Sequence, residues 1–240
     1  MANTNSIDLE SSSSQYLSIT DGDQTGLDIT GDKSFSIELC FKAESFSVDS
    51  FLINKNSYFL RVDNSGESVN LTKENVVDQR VSFSFSTGTW YHYAAVQSPT
   101  EVEYFIDGSS IGSYENSDDY ATISARSFVI GGNWDGLIDE VRVWNDVRTA
   151  TEISDNYQKE LVGDEAGLVA YWKLNNSLLD ETSNDNDLTN NNSATFSSDV
   201  PFTGASGPAN LKSINGLAKA SIKSRNGLAI ASIKSINGLE

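Results

Sequence analysis

Residues 136–144 read Gly-Leu-Ile-Asp-Glu-Val-Arg-Val-Trp, and residues 148–153 read Arg-Thr-Ala-Thr-Glu-Ile. Apolar side chains recur from Ile138 to Val143 with the alternation that a half-buried β-strand requires. In the second run, either threonine can cap a short helix that begins at Glu152. The two runs therefore predict a strand that is followed closely by a short helix.

The rest of the chain has the pattern of an all-β protein. Short runs rich in Val, Ile, Phe, Tyr and Thr recur about every 8 to 15 residues, separated by Asn-Ser-Gly, Asp-Gly and Ser-Thr-Gly turns. The Asp107-Gly108 pair suits a tight hairpin turn that needs positive φ. Only residues 152–161 have a helical pattern. This organisation predicts two packed antiparallel sheets with one short helix.

Several runs resemble, in the same order, the motifs of laminin G-like (concanavalin A-like) jelly-roll domains. They are residues 17–19, 27–29 and 35–41, the run Thr-Trp-Tyr-His-Tyr-Ala-Ala-Val at 89–96, the hairpin at 104–109, residues 128–132, the 136–144 run, and residues 167–174 with Leu179-Asp180. The resemblance implies a two-sheet antiparallel jelly-roll sandwich over residues 1–200. Most domains that carry this signature bind or bridge, and some related members hydrolyse glycans.

Composition narrows the class of protein. The 240-residue chain is 38% hydrophobic and 10% aromatic, enough for one large sandwich. No apolar run approaches the roughly 18 residues that a membrane span needs. The N-terminus lacks the basic start and apolar core of a secretory signal. The single Cys40, between Leu39 and Phe41, is expected to be a buried thiol, which leaves the cellular compartment open.

Charge is distributed unevenly along the chain. Residues 1–208 carry 11 Lys and Arg against 33 Asp and Glu, a balance of −22, whereas residues 209–240 carry 5 basic residues against Glu240, a balance of +4. A body this acidic is repelled by phosphate backbones, so we expect no nucleic-acid partner. Solubility or a saline environment explains the acidity, and cation binding is the alternative.

The C-terminal segment contains an internal repeat. After a predicted linker at 201–209, residues 210–240 repeat Lys-Ser-Ile/Arg-Asn-Gly-Leu with a period of 11. Each Asn-Gly step favours a hairpin turn, with nine-residue strands between the turns. Such a narrow apolar face is marginal alone, so we expect it to anchor the chain to another virion or surface protein or to form an oligomer. The alternative is a tail ordered only by its neighbours. The apolar residues expected to do this are Ile214, Leu217, Ile222, Leu228, Ile230, Ile233 and Ile236.

Catalytic patterns are missing from the sequence. Retaining glycosidases need two carboxylates about 5 Å apart, and strand alternation is expected to place Asp139 and Glu140 on opposite faces. The only histidine, His92, falls inside a predicted strand where a structural role is expected. One Cys and one His make no zinc site, and no phosphate-binding loop is present. We therefore predict that the chain is not an enzyme.

Two binding sites are candidates. The resemblance implies a structural Ca²⁺ against Asp139, and Asp21, Asp23 and Asp28 supply further carboxylates, although these residues also suit turns and caps. Glycans need an exposed aromatic beside amides and carboxylates, and two loops have that composition. The candidate glycan ligands are Tyr114, Asp118, Asp119, Tyr120, Asn133, Trp134 and Asp135. For Trp134, the sequence leaves exposure and a core position equally open.

Together these features predict a non-catalytic recognition or structural module. The repeat resembles the ends of phage-encoded structural proteins, which favours a virion decoration or fibre component at the virion surface that binds host or environmental glycans. The alternative is a secreted bacterial adhesion module that binds glycans outside the cell or at its surface.

Overall fold

The structure is a computed structural model that describes residues 3–28, 34–46, 50–55, 58–73, 80–115 and 126–203, together with four short strands after residue 212. The chain divides into two units, Asn3–Phe202 and Thr203–Glu240 with Met1–Ala2. The first unit is a sandwich of two antiparallel sheets with one α-helix, which confirms the predicted jelly-roll fold. In the described residues, no helix is long and apolar enough to cross a membrane.

The strands and the helix of the first unit follow one another as short elements. In chain order they are β1 (Ser6–Leu9), β2 (Tyr16–Ile19), β3 (Phe35–Ala43), β4 (Ser50–Asn54), β5 (Tyr58–Val62), β6 (Ser68–Lys73), β7 (Arg80–Ser82), β8 (Trp90–Gln97), β9 (Glu101–Ile106), β10 (Ser109–Glu115), β11 (Phe128–Ile130), β12 (Gly136–Trp144), α1 (Ala150–Asn156), β13 (Leu168–Trp172), β14 (Thr189–Asn191) and β15 (Thr195–Ser197).

The two sheets divide these strands between them. One sheet has the order β10-β9-β8-β3-β12-β1-β15, and β13 pairs with the second half of β12. The other has the order β14-β2-β11-β4-β5-β6-β7. Their inner faces form the core, where the Trp134 ring meets Phe41 edge-on at 5.4 Å and Phe128 packs against Trp172 at the same centroid distance. Each sheet therefore has one inner face in the core and one outer face.

The signature strand β12 is bent by a bulge. Its pairing with β3 shifts register between Asp139 and Arg142, and Glu140 has a φ of 53°. A bulge re-aims one residue of a strand. The prediction that Asp139 and Glu140 point to opposite faces is therefore wrong. Asp139 pairs with Cys40, and the Glu140 carboxylate reaches Arg142 on the same outer face.

Helix α1 covers part of that outer face. Its N-terminus is a capping box, in which Thr149 Oγ1 accepts from the Glu152 amide and the Glu152 carboxylate accepts from the Thr149 amide. The buried Ile153 packs on a small apolar patch formed by Ala94, Val96 and Phe105 of the eight-stranded sheet. The predicted helix is confirmed, and Thr149 rather than Thr151 is its cap.

In the second unit the structure describes four strands of two residues each. They are β16 (Ser213–Ile214), β17 (Leu217–Ala218), β18 (Ser224–Arg225) and β19 (Leu228–Ala229). β16 pairs with β17 and β18 with β19, in antiparallel pairs on either side of two Asn-Gly steps. Residues 219–223, which join β17 to β18, lie outside the described residues, so the expected nine-residue strands stay a prediction. Ile222, Ile230, Ile233 and Ile236 lie outside the described residues.

Candidate functional site

The outer face of the seven-stranded sheet carries two aromatic side chains next to each other. Alternation along β5 buries Tyr58, Leu60 and Val62 in the core and leaves Phe59 and Arg61 half-buried on the outer side. A register shift in β4 turns Phe51 to the same side, and the Phe51 and Phe59 rings lie 5.2 Å apart at 42°. The pair forms an apolar surface that the core does not use.

Polar side chains flank this aromatic pair in two cross-strand rows. Asn54 is directly opposite Phe59, and Arg61 is directly opposite Phe51. On the next strand Asn70 faces Arg61, and its Oδ1 accepts from Arg61 Nε at 3.0 Å. These five residues, Phe51, Asn54, Phe59, Arg61 and Asn70, are called the aromatic face below.

The chemistry of the aromatic face suits a ligand with both apolar and polar edges. Sugar rings are such ligands, because their C–H faces pack on aromatic rings while their hydroxyls hydrogen-bond to amide and guanidinium groups. Within the aromatic face there is no carboxylate to act as an acid or a nucleophile. The arrangement can bind and orient, and it offers no group for glycoside hydrolysis.

One of the predicted glycan ligands borders the aromatic face. The turn at 131–135 is tied to β4, because Gly131 N donates to Leu52 O at 3.0 Å and Phe51 N donates to Gly132 O at 2.9 Å. Asn133 is the next residue of this turn and is exposed, with a φ of 59°. Asn133 therefore lies beside the aromatic face, and its role as a glycan ligand stays a prediction.

The other predicted glycan ligands are not brought to the aromatic face. Trp134 is fully buried against Phe41, so of the two positions that the sequence left open it takes the core one, and its prediction as a glycan ligand is wrong. The Asp135 carboxylate accepts from Ser11 Oγ and Ser45 Oγ, which makes it part of a turn. Tyr114 is 41% exposed on β10, an edge strand of the other sheet. Asp118, Asp119 and Tyr120 lie outside the described residues.

The predicted calcium loop holds a lysine in place of a metal. The ammonium of Lys55, whose residue is 1% exposed, lies 2.9 Å from Asp28 Oδ1 and 3.7 Å from Asp21 Oδ1. It also donates to the Arg126 carbonyl at 2.7 Å and to the Gln24 side-chain oxygen. This ammonium occupies the centre of the oxygen cluster that a cation would need, so the loop does not fit Ca²⁺.

The remaining predicted metal ligands lie apart from one another. Asp23 Oδ2 accepts from Thr20 Oγ1 at 2.6 Å within its own turn. Asp139 belongs to the other sheet, where its carboxylate accepts from Asn3 Nδ2 at 2.8 Å and from the Glu140 amide at 3.0 Å. In the described part of the chain, no three acidic, His or Cys side chains are grouped to hold a metal ion. The four predicted ligands therefore do not form one calcium site.

A buried charge network lies on the outer face of the eight-stranded sheet. The Arg142 guanidinium pairs with Glu140 Oε2 at 2.9 Å and lies 3.6 Å from Glu38 Oε2. It also donates to the carbonyls of Asn156 and Lys159. These contacts hold the end of α1 and the segment after it on the sheet.

Glu38 is the second centre of this network. Its two oxygens accept from Trp144 Nε1 at 2.8 Å and pair with His92 Nε2 at 2.9 Å. Burial raises the pKa of Glu38, but the Arg142 charge and the two side-chain donors outweigh that effect and hold the pKa at about 2. For Asp139, burial followed by the charge of Glu140 raises the pKa well above its ordinary value. These groups are buried and paired, so their role is structural.

Sequence reasoning missed the aromatic face. Phe51 and Phe59 lie in β-rich runs, where aromatic side chains are usually core residues. The available signal is the run Tyr-Phe-Leu-Arg-Val at 58–62, in which Phe59 and Arg61 share one face of a strand. The arginine indicates that this face of the strand is the outer one. The phenylalanine on the same face therefore lies outside the core.

Comparisons with known proteins identify the fold. A family model described as the concanavalin A-like lectin/glucanases superfamily matches residues 11–154. The chain is similar to a proposed carbohydrate-binding protein from Bacteroides ovatus, with a TM-score of 0.66 and 19% identity over 85% of this chain and 62% of that one. It is also similar to a heptameric SAP-like pentraxin from Limulus polyphemus, with a TM-score of 0.60 and 14% identity over 83% and 97% of the two chains.

These similarities have limits. At 19% and 14% identity they show the fold alone. The chain spans less than two thirds of the Bacteroides ovatus protein. No curated protein sequence matched the chain.

Proposed function

The chain belongs to the concanavalin A-like lectin/glucanases superfamily, and from that premise we propose that it is a non-catalytic glycan-binding module. Its binding surface is the aromatic face. A sugar ring stacks on Phe51 and Phe59, while Asn54, Arg61 and the neighbouring Asn133 hydrogen-bond to its hydroxyls. The similar protein from Bacteroides ovatus, itself proposed to bind carbohydrate, supports this class of ligand.

One observation carries the proposal. Phe51 and Phe59 are half-buried and 5.2 Å apart on a sheet face opposite the core, where they add no core packing. Large apolar side chains grouped outside a core usually mark a binding surface. The polar residues in register with them are amides, which donate and accept hydrogen bonds, and an arginine, which donates them. None of these residues supplies the pair of carboxylates that a glycosidase needs.

A double substitution tests the binding surface. Affinity electrophoresis or calorimetry with xylan, arabinan, β-glucan and galactan identifies a bound polysaccharide for the unmodified protein. Phe51→Ala with Phe59→Ala is expected to weaken that binding by about tenfold or more, because it removes the stacking surface. Tyr114→Ala is the matched control, since it removes an exposed aromatic from the other sheet. Loss of binding in Tyr114→Ala, with binding intact in the double variant, would move the site to the edge strand β10.

The absence of catalysis is tested on the same polysaccharides. The aromatic face has no pair of carboxylates, and Asp139 and Glu140 are buried at 0% and 1% exposure, out of reach of a polysaccharide. We expect no release of reducing ends after prolonged incubation. Release that disappears on substitution of a carboxylate would make the chain a glycoside hydrolase.

The C-terminal repeat is proposed to anchor or oligomerise the module. Its basic balance of +4 against −22 for the rest of the chain favours association with an acidic surface, on a neighbouring copy or on another virion or surface protein. We place the protein at a virion surface as a decoration or fibre component. A secreted bacterial adhesion module is the alternative.

Truncation after Pro208 tests the repeat. The sandwich is expected to remain folded and to bind the same polysaccharide, while the mass measured by light scattering falls to that of a single chain. Incorporation into purified particles of the source should also be lost. An unchanged state of assembly together with unchanged incorporation would show that the repeat does neither job.

A further inference from the structure

A cavity of about 210 Å³ opens on the outer face of the eight-stranded sheet, away from the aromatic face. Its floor is formed by Cys40 and His92, which pair across β3 and β8. The cavity is far larger than the roughly 15 Å³ that one water needs and smaller than the roughly 300 Å³ of the pockets that bind drug-sized ligands. Its size therefore suits one small ring.

His92 presents a buried nitrogen that has no partner among the described residues. The residue is 4% exposed, and its Nε2 pairs with Glu38 Oε2 at 2.9 Å. Because an ionised carboxylate only accepts, Nε2 donates to Glu38, and in the neutral tautomer that this bond selects Nδ1 is an acceptor. Nδ1 is buried and makes no hydrogen bond within the described residues. A buried polar atom left without a partner costs about 1–3 kcal/mol, which a ligand hydroxyl would remove.

The walls of the cavity supply the other contacts that a sugar ring needs. Half-buried Trp90, Tyr157 and Phe202 provide aromatic surface, and the Tyr157 ring lies 5.9 Å from the imidazole of His92. Asp107 is exposed at the rim, where its Oδ1 already accepts from the His92 amide and its carboxylate can accept further hydroxyls.

The charged groups around the cavity determine which kind of small ring it can bind. The rim carboxylate of Asp107 disfavours an anionic ligand, whereas the charge of Glu38 behind His92 is compensated by Arg142. A neutral ring with hydroxyls satisfies the acceptor nitrogen and the carboxylate at once.

We propose that this cavity, floored by His92 and Cys40 and walled by Trp90, Tyr157 and Phe202, is a second binding site that takes a single neutral sugar residue. A ligand hydroxyl donates to His92 Nδ1, a second donates to Asp107, and the apolar face of the ring packs on the aromatic wall. The site belongs to the other sheet and goes beyond the proposed function, because neither site needs the other.

The single histidine makes this site directly observable. Since His92 is the only histidine in the chain, a long-range ¹H–¹⁵N spectrum of the ¹⁵N-labelled full chain reports on this imidazole alone. The spectrum of the free protein should show the proton on Nε2. The probes are the methyl glycosides of glucose, galactose, mannose and N-acetylglucosamine, with tetramethylammonium as a cationic contrast. At least one glycoside is expected to shift the Nδ1 signal saturably.

Three variants give the proposal its controls. Trp90→Ala should raise the dissociation constant of that glycoside about tenfold by removing part of the wall, and Tyr157→Leu provides the same test if Trp90→Ala fails to fold. Phe51→Ala with Phe59→Ala should leave the Nδ1 response unchanged, which separates this site from the aromatic face. The proposal is overturned if no glycoside shifts Nδ1 up to its solubility limit, if only tetramethylammonium does, or if the response is unaltered in both wall variants.

Discussion

The outer faces of the two sheets differ in what covers them. On the eight-stranded sheet, helix α1 and the segment after it cover Glu38, Glu140 and Arg142, each 2% exposed or less. On the seven-stranded sheet, Phe51 and Phe59 are half-buried without a covering helix among the described residues. The covered face is charged and the other face is partly aromatic, the reverse of what a simple inside-outside rule predicts.

The difference shows under what condition charged side chains can be buried beneath a helix. A buried charge is tolerated only when it is paired and hydrogen-bonded, and the covered face meets that condition through Arg142, whose guanidinium joins two carboxylates and two carbonyls. A half-buried aromatic pair needs no such compensation, so it can be kept for a ligand. Substitutions on the covered face should therefore change stability, and those on the aromatic face should change binding.

Replacement of Arg142 should have the largest effect. Arg142→Met leaves Glu38 and Glu140 buried without their cation and frees the segment after α1, so unfolding in urea should show a loss of about 3–5 kcal/mol. If the protein is too unstable to purify, Arg142→Lys keeps the charge and should lose less, because lysine cannot make the branched contacts. A loss below about 1 kcal/mol in Arg142→Met would mean that the network does not hold the cover.

Replacement of Asp139 should change how stability depends on pH. Burial raises the pKa of Asp139 above its ordinary 3.8, so the folded protein keeps a proton that the unfolded chain has lost. Its contribution to stability is present below about pH 4 and is lost as pH rises through the raised pKa, by up to about 1.4 kcal/mol per pH unit. Asp139→Asn removes this dependence.

The comparison is made by urea unfolding of both proteins at about pH 4 and at neutral pH. Asp139→Asn should gain stability relative to the parent as pH rises, while Glu38, whose lowered pKa acts in the opposite direction, is common to both proteins. Asn3 can reorient its amide so that its unpartnered Oδ1 accepts from the new side chain. Parallel pH profiles for the two proteins would contradict the raised pKa.

Phe51→Ala should have a small effect on stability. Its side chain is half-buried outside the core, so the free energy of unfolding should fall by only about 1 kcal/mol. The measurement is urea unfolding beside polysaccharide binding of the same variant. Phe41→Ala, which empties a core position against Trp134, is the contrast and should cost about 3–5 kcal/mol. Equal losses in the two variants would show that Phe51 is a core residue.

Removal of calcium should have the smallest effect. Lys55 occupies the oxygen cluster around Asp21 and Asp28, so the melting temperature should be the same in calcium and in chelator. A bound ion at a hundredfold excess over its dissociation constant would add about 2.7 kcal/mol of stability. A clear fall of the melting temperature on chelation would show that the protein does bind calcium. The ion would then have to lie at a site other than the Asp21 and Asp28 loop.

Local patterns predicted much of the fold. The alternation in the 136–144 run, the threonine before Glu152 and the Asp-Gly turn each depend on residues a few positions apart. The strand, the helix cap and the turn all formed, but the strand is buried at all nine residues and is not half-buried as predicted. Prediction failed where one irregular residue changed the geometry. At Glu140 the bulge turned an acid to its neighbour's face, and Trp134, in a turn of polar residues, was drawn into the core against Phe41.

The sequence alone determined the two-sheet sandwich, its helix and its acidity, because strand alternation, turn residues and charge are properties of short segments or of composition. Only the tertiary structure decided which carboxylates meet a lysine or an arginine and which aromatics are left outside the core. Those outcomes depend on contacts between different elements, such as Lys55 with Asp28 and Phe51 with Phe59 across β4 and β5. Register and bulges set these contacts, and a shift of one residue moves a side chain to the other face.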